Sequence, residues 1–266
     1  MEMKKGRGPV RRFFSGLGKT IGTVFLILFI SFVIFACIFT AYLRNYLMPQ
    51  VSFSLDSFRL NRTSVIYYEN KDTGGYETLQ NLYGDENRIW ASYNEIPDNL
   101  VYAAVAVEDK RFFEHHGVDW LRTARAGLNL FMGSDSFGGA STLTQQLVKN
   151  THLTDEITVR RKLLEVFRAL ELEKEYRKEE ILEWYLNTIY LGEQSYGVRT
   201  ASYTYFAKDV SELDLAQCAS LIAITNNPSL YDPYISASTR QSNKDRQEYI
   251  LGKMLDQEYI TESEYR

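Results

Sequence analysis

PDNLVYAAVAVEDKRFFEHHG, residues Pro97 to Gly117, opens as a helix and closes on a run of charge. Asp98 is placed to cap the helix, and small or apolar residues follow it. Leu100 to Val107 carries no charge, which predicts a helix buried on most of its surface. Val101, Val105, Glu108 and Phe112 fall on one face at helical spacing, so Glu108 stands where an apolar side chain is expected. A carboxylate there loses solvation, which disfavours its charged form and makes it a useful proton acceptor near neutral pH. The same residues also fit a helix end at which Glu108 meets water beside Asp109, Lys110 and Arg111.

Outward from this stretch, the N-terminal side reads as a membrane anchor. Residues 1–19 carry six basic side chains and one acidic one. Thr20 to Leu43 then runs 24 residues without a charge, about 36 Å as a helix and enough to cross a bilayer. It exceeds the roughly 7–15 apolar residues of a signal peptide, and no small-residue cleavage site stands out. The basic flank predicts a cytoplasmic N-terminus and an outer face for everything after Arg44. Beyond residue 19 the chain has 24 basic and 33 acidic residues. That acidic balance argues against nucleic-acid binding, whereas the basic tail suits anionic headgroups.

The expected organisation is a basic tail (1–19), an anchor (20–43), a connector (44–95), a main domain (96–235) and a C-terminal helical segment or linker (236–266). In the connector, Thr63–Glu69 reads as a strand and Asp72–Gly75 as a turn. Cys37 and Cys218 are too far apart in character to pair, and no Cys/His spacing predicts zinc.

After Gly117 a helix is expected near Val118–Met132, then a flexible Gly133–Gly139. Leu128, Leu130, Phe131 and Met132 fit either core packing or a dip into a membrane surface. Gly138–Asn150, GGASTLTQQLVKN, brings hydroxyls (Ser141, Thr142, Thr144), amides (Gln145, Gln146) and a cation (Lys149) together. Gln145 and Lys149, four apart, share a helix face. The run suits sugar hydroxyls and phosphates, or simply a helix start capped by Ser141 or Thr142.

The next helix, about Thr158–Tyr176, has an expected seam of Val159, Leu163, Val166 and Leu170, with Glu165 off it. Arg160, Arg161, Lys162 and Arg168 form a positive patch where an anion could dock. Lys178–Leu191 reads as an amphipathic helix closed by Gly192, with Tyr185 and Asn187 as polar residues able to orient a site. Gly197–Lys208 continues the helical pattern, Ser211 with Asp214 resembles a capping box before Leu215–Ile224, and a polar helix about Ala237–Leu255 follows.

Four stretches resemble the main motifs of the peptidoglycan glycosyltransferases: EDKRFFEHHG (Glu108–Gly117), GGASTLTQQLVKN (Gly138–Asn150), RKLLE (Arg161–Glu165) and KEEILEWYLN (Lys178–Asn187). A fifth, GVRTASYTYFAK, resembles the family's last motif. The family comprises the anchored half of class A penicillin-binding proteins and monofunctional enzymes. The resemblance implies a mainly α, lysozyme-like domain with a small jaw lobe, plus one N-terminal transmembrane helix. It implies polymerisation of lipid II into glycan strands, with inversion and release of a lipid pyrophosphate. Under it, Glu108 is the base for the acceptor 4-hydroxyl and Glu165 is the second essential acid. Lys149, Arg161 and Lys162 match basic positions near the pyrophosphate, and Asp109, Arg111, Ser141, Gln145 and Gln146 match residues lining the cleft.

No cofactor is implied, and a divalent metal at the pyrophosphate stays open. The implied partners are lipid II, the growing strand, membrane lipid and cell-wall synthesis proteins. Two departures stand out: Ile157 occupies an often basic position that Arg160 could serve, and Asn226-Asn227 replaces a Pro-containing turn. No SxxK penicillin-reactive motif appears, and the tail resembles the linker ahead of a transpeptidase domain, so a longer protein is expected. The competing functions are a lysozyme-like enzyme that cleaves glycan and a non-catalytic anchored scaffold.

Overall fold

The computed structural model describes residues 9–52, 54–55, 64–71, 74–82, 87–132, 139, 141–152 and 158–266. The chain divides into two units, Met1–Ser52 and Phe53–Arg266.

The first unit is one long helix, α1 (Pro9–Tyr42), continued by a π turn at Leu43–Leu47 and a 3-10 turn at Met48–Gln50. It begins well before Thr20, so part of the basic tail is helical too. Its apolar side chains face outward all round: Phe25, Phe32 and Phe35 are each about two-thirds exposed. A helix with apolar residues on every face needs an apolar surrounding. Lys19–Gln50 is the span long and apolar enough to cross a membrane among the described residues.

The second unit is mainly α. Its strands, β1 (Ser64–Asn70) and β2 (Gly75–Leu82), form an antiparallel hairpin paired from Ser64↔Leu82 to Asn70↔Gly75, with a bulge between Ile66 and Tyr67. The expected strand is thus present; Thr63, Asp72 and Thr73 lie outside the described residues.

The core is built around α2 (Asp98–Glu108), whose Leu100, Ala103, Ala104 and Val105 are fully buried. Pro97 takes the capping position and Asp98 enters the first turn, where its charge still complements the helix dipole. Against α2 pack α8 (Leu215–Thr225) and α10 (Ala237–Asp256), which also pack on each other. The helix read as a C-terminal segment is therefore core: Ile250 and Met254 are fully buried, and Gln257 donates to the Ala106 carbonyl at 2.9 Å. Cys218, inside α8, has its thiol pushed up to about 12 by burial.

A second group comprises α4 (Leu143–His152), α5 (Val159–Glu175) and α6 (Lys178–Thr188), with α4 touching both others. The seam of α5 differs from the expected one. Val159 is 80% exposed, and the buried stripe is Leu164, Glu165, Ala169 and Leu172. Leu163, Val166 and Leu170 are only half-buried. Both stripes have helical spacing, and contact with α4 selects one of them.

Helix α6 ends at Thr188, earlier than expected, because Ile189 turns extended and Tyr190 pairs with Tyr196. Gly192 lies inside that turn with φ +82°, where an added Cβ would meet Asp232 Oδ2 at 2.6 Å. Asn187 is buried and braces the fold, exchanging hydrogen bonds with the backbone of Ala91 at 2.7 and 2.8 Å. After α7 (Val198–Phe206), the expected Ser211–Asp214 box resolves into two caps. Asp209 caps a 3-10 turn, and Asp214 pairs with Gln217 to cap α8. Among the described residues three more helices belong to the unit: α3 (Trp120–Phe131), α9 (Pro228–Tyr231) and α11 (Glu262–Tyr265). Around α3, Leu128 and Met132 are exposed. The side chains of Leu130 and Phe131, most of Gly133–Gly139, and Ile157 lie outside the described residues.

Candidate active site

Glu108 is the last residue of α2 and is half-buried. Its Oε2 accepts from Gln146 Nε2 at 2.9 Å. Its backbone carbonyl accepts from the Arg122 guanidinium at 2.6 Å. Gln146 is itself held: Tyr185 Oη donates to its Oε1 at 3.4 Å. Burial, with the charges of Glu108 and Asp109 added, pushes the Tyr185 phenol well above its usual range, so it stays a donor. That donor fixes which end of the Gln146 amide faces the acid.

Gln146, Tyr185, Lys149 and Arg161 line one cavity of about 360 Å³, with Tyr190 and Tyr196 on its wall. Gln145, expected to share the ligand face with Lys149, is instead buried in the start of α4. Its Oε1 accepts from Thr142 N at 2.9 Å while Thr142 Oγ1 accepts from Gln145 N at 3.2 Å. This reciprocal cap satisfies two helix-start donors. Gln146, one position on, supplies the cavity's amide.

Asp109 corrects another expectation. It is fully buried, so it braces the site rather than lining a cleft. Its Oδ2 accepts from the Leu143 backbone N–H at 3.0 Å and lies 2.9 Å from His115 Nε2. The carboxylate thereby ties the end of α2 to the N-terminus of α4, a favourable place for an anion. Gly117, at φ +87°, lets this stretch pass directly over α5: a Cβ there would meet Ala169 O at 2.5 Å.

On α5, Glu165 is 2% exposed and ion-paired with Lys162. Lys162 Nζ also donates to Ser141 Oγ at 2.7 Å, so it links α5 to the residues ahead of α4. Arg161 and Lys162 therefore part: one lines the cavity, the other holds Glu165. Arg160 is exposed and Arg168 half-buried, and burial draws the Arg168 guanidinium down from its usual range.

A second cavity, about 220 Å³, is lined by Lys110, Arg111, Asp119, Arg122 and Arg125. Arg111 pairs with Asp119 through two hydrogen bonds, one of 2.9 Å. Burial alone would raise Asp119; the Arg111 hydrogen bonds, the Arg122 backbone N–H and the Arg111 charge outweigh it and hold the carboxyl below its usual range. Arg122 and Arg125 were not singled out in the sequence. Their only signal there is a pair of arginines three apart on α3. Among the described residues no group of three or more His, Cys, Asp or Glu is placed to hold a metal ion.

The transglycosylase family model matches residues 75–255. The chain is 39% identical to penicillin-binding protein 1A of Clostridium botulinum over 251 residues, 91% of this chain and 29% of that one. It is 42% identical to penicillin-binding protein 1F of Bacillus subtilis over 205 residues, 77% of this chain and 28% of the relative. Among solved structures it is similar to penicillin-binding protein 1A from Haemophilus influenzae. That match has 24% identity and a TM-score of 0.41, and covers 78% of this chain and 20% of that one. The chain thus spans under a third of the length of these relatives.

Proposed function

Because the chain belongs to the transglycosylase family, we propose that it polymerises lipid II into peptidoglycan glycan strands, with Glu108 as general base. The observation that carries this reading is the link from acid to cations: Glu108 bonds Gln146, and Gln146 lines the cavity that holds Lys149 and Arg161.

The acceptor's 4-hydroxyl gives its proton to Glu108 as its oxygen bonds the donor's anomeric carbon from the face opposite the leaving group. The bond from that carbon to the phosphate oxygen breaks, and the lipid pyrophosphate departs with the electron pair. General-base help of this kind is worth roughly 10²–10⁴ in rate. Lys149 and Arg161 offset the charge that builds on the departing pyrophosphate, where preorganised cations act most strongly. Glu165, buried against Lys162, keeps that cation and Ser141 in register and so acts through position.

The apolar α1 anchors the chain in the cell membrane as a single pass. In this reading the N-terminal end lies in the cytoplasm and the catalytic unit on the outer face, which the basic residues ahead of the apolar span support. The deciding experiment supplies lipid II and, separately, finished glycan. Strand growth that disappears in Glu108→Gln with an unchanged circular dichroism spectrum supports the reading. Strand loss on glycan points to a cleaving enzyme, and full activity of Glu108→Gln removes Glu108 from the base role.

A further inference from the structure

Glu108 stands at the C-terminal end of α2, where backbone carbonyls run out of partners inside the helix. Donors from outside take their place. The Val105 carbonyl accepts from Asp109 N at 3.0 Å, and the Glu108 carbonyl accepts from Arg122. The Ala106 carbonyl accepts from Gln257 Nε2 at 2.9 Å, a partner 151 residues further along the chain. Ala106 is buried, which leaves little room for water to replace that donor.

Gln257 is delivered by a strained exit from α10. The helix ends at Asp256, Glu258 is left-handed at φ +62°, and Tyr259 N donates to the Met254 carbonyl at 2.9 Å. Glycine is the usual residue at such an exit, because a Cβ crowds the left-handed backbone. Here a glutamate holds that conformation, and the segment after it is pinned to α2. The Tyr259 ring stacks on Tyr102 with centroids 4.7 Å apart and planes 9° apart, and Ile260 is buried. Tyr102 and Ala106 are four residues apart and share one face of α2. Gln257 and Tyr259 thus grip that face at two points one turn apart.

We propose that Gln257 is a positioning residue for the reaction: by holding the Ala106 carbonyl it fixes the last turn of α2, and with it the direction in which Glu108 presents its carboxylate. Gln146 orients that carboxylate directly, and Gln257 steadies the backbone that carries it. A helix end without such a partner frays, and a base that wanders from its aim loses rate rather than affinity. The positioning role rests on the glycosyltransferase reading with Glu108 as base; the clamp on α2 does not.

The test uses the full chain in neutral detergent with lipid II. Gln257→Met keeps the volume and removes the donor. Its kcat should fall about tenfold while the half-saturating lipid II concentration stays within about twofold. Gln257→Lys keeps a donor on a flexible stem and should bring kcat back to within about threefold of wild type. Ile250→Val, at a buried site within α10, reports what a general loss of stability does to the rate, and it should keep kcat. Hydrogen exchange over residues 105–112 should quicken in Gln257→Met and not in Gln257→Lys or Ile250→Val. An unchanged kcat in Gln257→Met overturns the proposal. So does an equal loss in Ile250→Val, a loss that Gln257→Lys shares in full, or a loss confined to half-saturation. If the wild-type chain polymerises nothing, the glycosyltransferase reading fails by itself and hydrogen exchange decides alone: unchanged exchange in Gln257→Met then refutes the clamp.

Discussion

Gln146 Nε2 stands 2.9 Å from Glu108 Oε2, and Tyr185 holds the other end of the same amide. The acid at the end of α2 is thus oriented by a residue of α4, which is oriented in turn by one of α6. Replacing Gln146 by Met keeps the volume and removes the donor. Polymerisation kcat should fall roughly 10- to 100-fold with a smaller change in KM, as expected for lost positioning of a base. Tyr185→Phe should lower kcat less, about threefold, because the amide keeps its bond to the acid but is free to flip. Equal losses in a ligand-binding assay and in kcat would contradict a positioning role.

Lys162 covers the Glu165 carboxylate, which is 3% exposed on its side chain while Lys162 is about half exposed. Lys162→Met leaves a nearly buried acid without its partner and should destabilise the fold by about 1–3 kcal/mol. The double variant Lys162→Met/Glu165→Gln should recover much of that, since both charges are gone. Thermal unfolding of the three proteins checks the coupling, and additive losses would show that the pair is not coupled.

Gly117→Ala meets two obstacles together. Its φ of +87° disfavours any Cβ, and that Cβ would approach Ala169 O to 2.5 Å on the backbone of α5. The expected cost is roughly 2–4 kcal/mol. Gly127→Ala on α3, with nothing within 4 Å, should instead be neutral or slightly stabilising. Denaturant midpoints of both variants provide the comparison.

Asp119 sets a pH dependence with a definite sign. Its folded pKa lies below the ordinary value of about 3.8, so between the two values the unfolded chain binds more protons. The stabilisation is fully present above the unfolded pKa and is lost as pH falls through the folded one. Asp119→Asn lacks this response. The stability gap between wild type and variant should therefore be constant above about pH 5 and narrow on acidification. A gap that widens toward pH 2 would rule out this account.

Much of the machinery was legible beforehand because it is local. Glu108 at a helix end, the cation run on α5 and the polar start of α4 are patterns of neighbours three and four residues apart. The choice between Gln145 and Gln146 was not legible. Adjacent residues on a helix point about 100° apart, and only the reciprocal cap with Thr142 turns one inward and leaves the other for the acid. The α5 seam failed similarly: two apolar stripes have helical spacing, and Val159 stays exposed while Leu164 and Ala169 are buried. Asp109 and Arg111 read as one charged run, yet one is sealed beneath α4 and the other borders a cavity.

The sequence by itself determined the class of this protein: an apolar helix able to span a bilayer, a mainly α domain, and five motifs that mark the family. Those properties follow from periodicity, length and residue type along the chain, which survive without knowledge of neighbours. Only the tertiary structure decided which polar groups reach a cavity and which are spent holding helices together. A buried carboxylate or amide must find its partner on another element, and those partners lie up to tens of residues away: Gln146 for Glu108, Leu143 for Asp109, Arg122 for the Glu108 carbonyl.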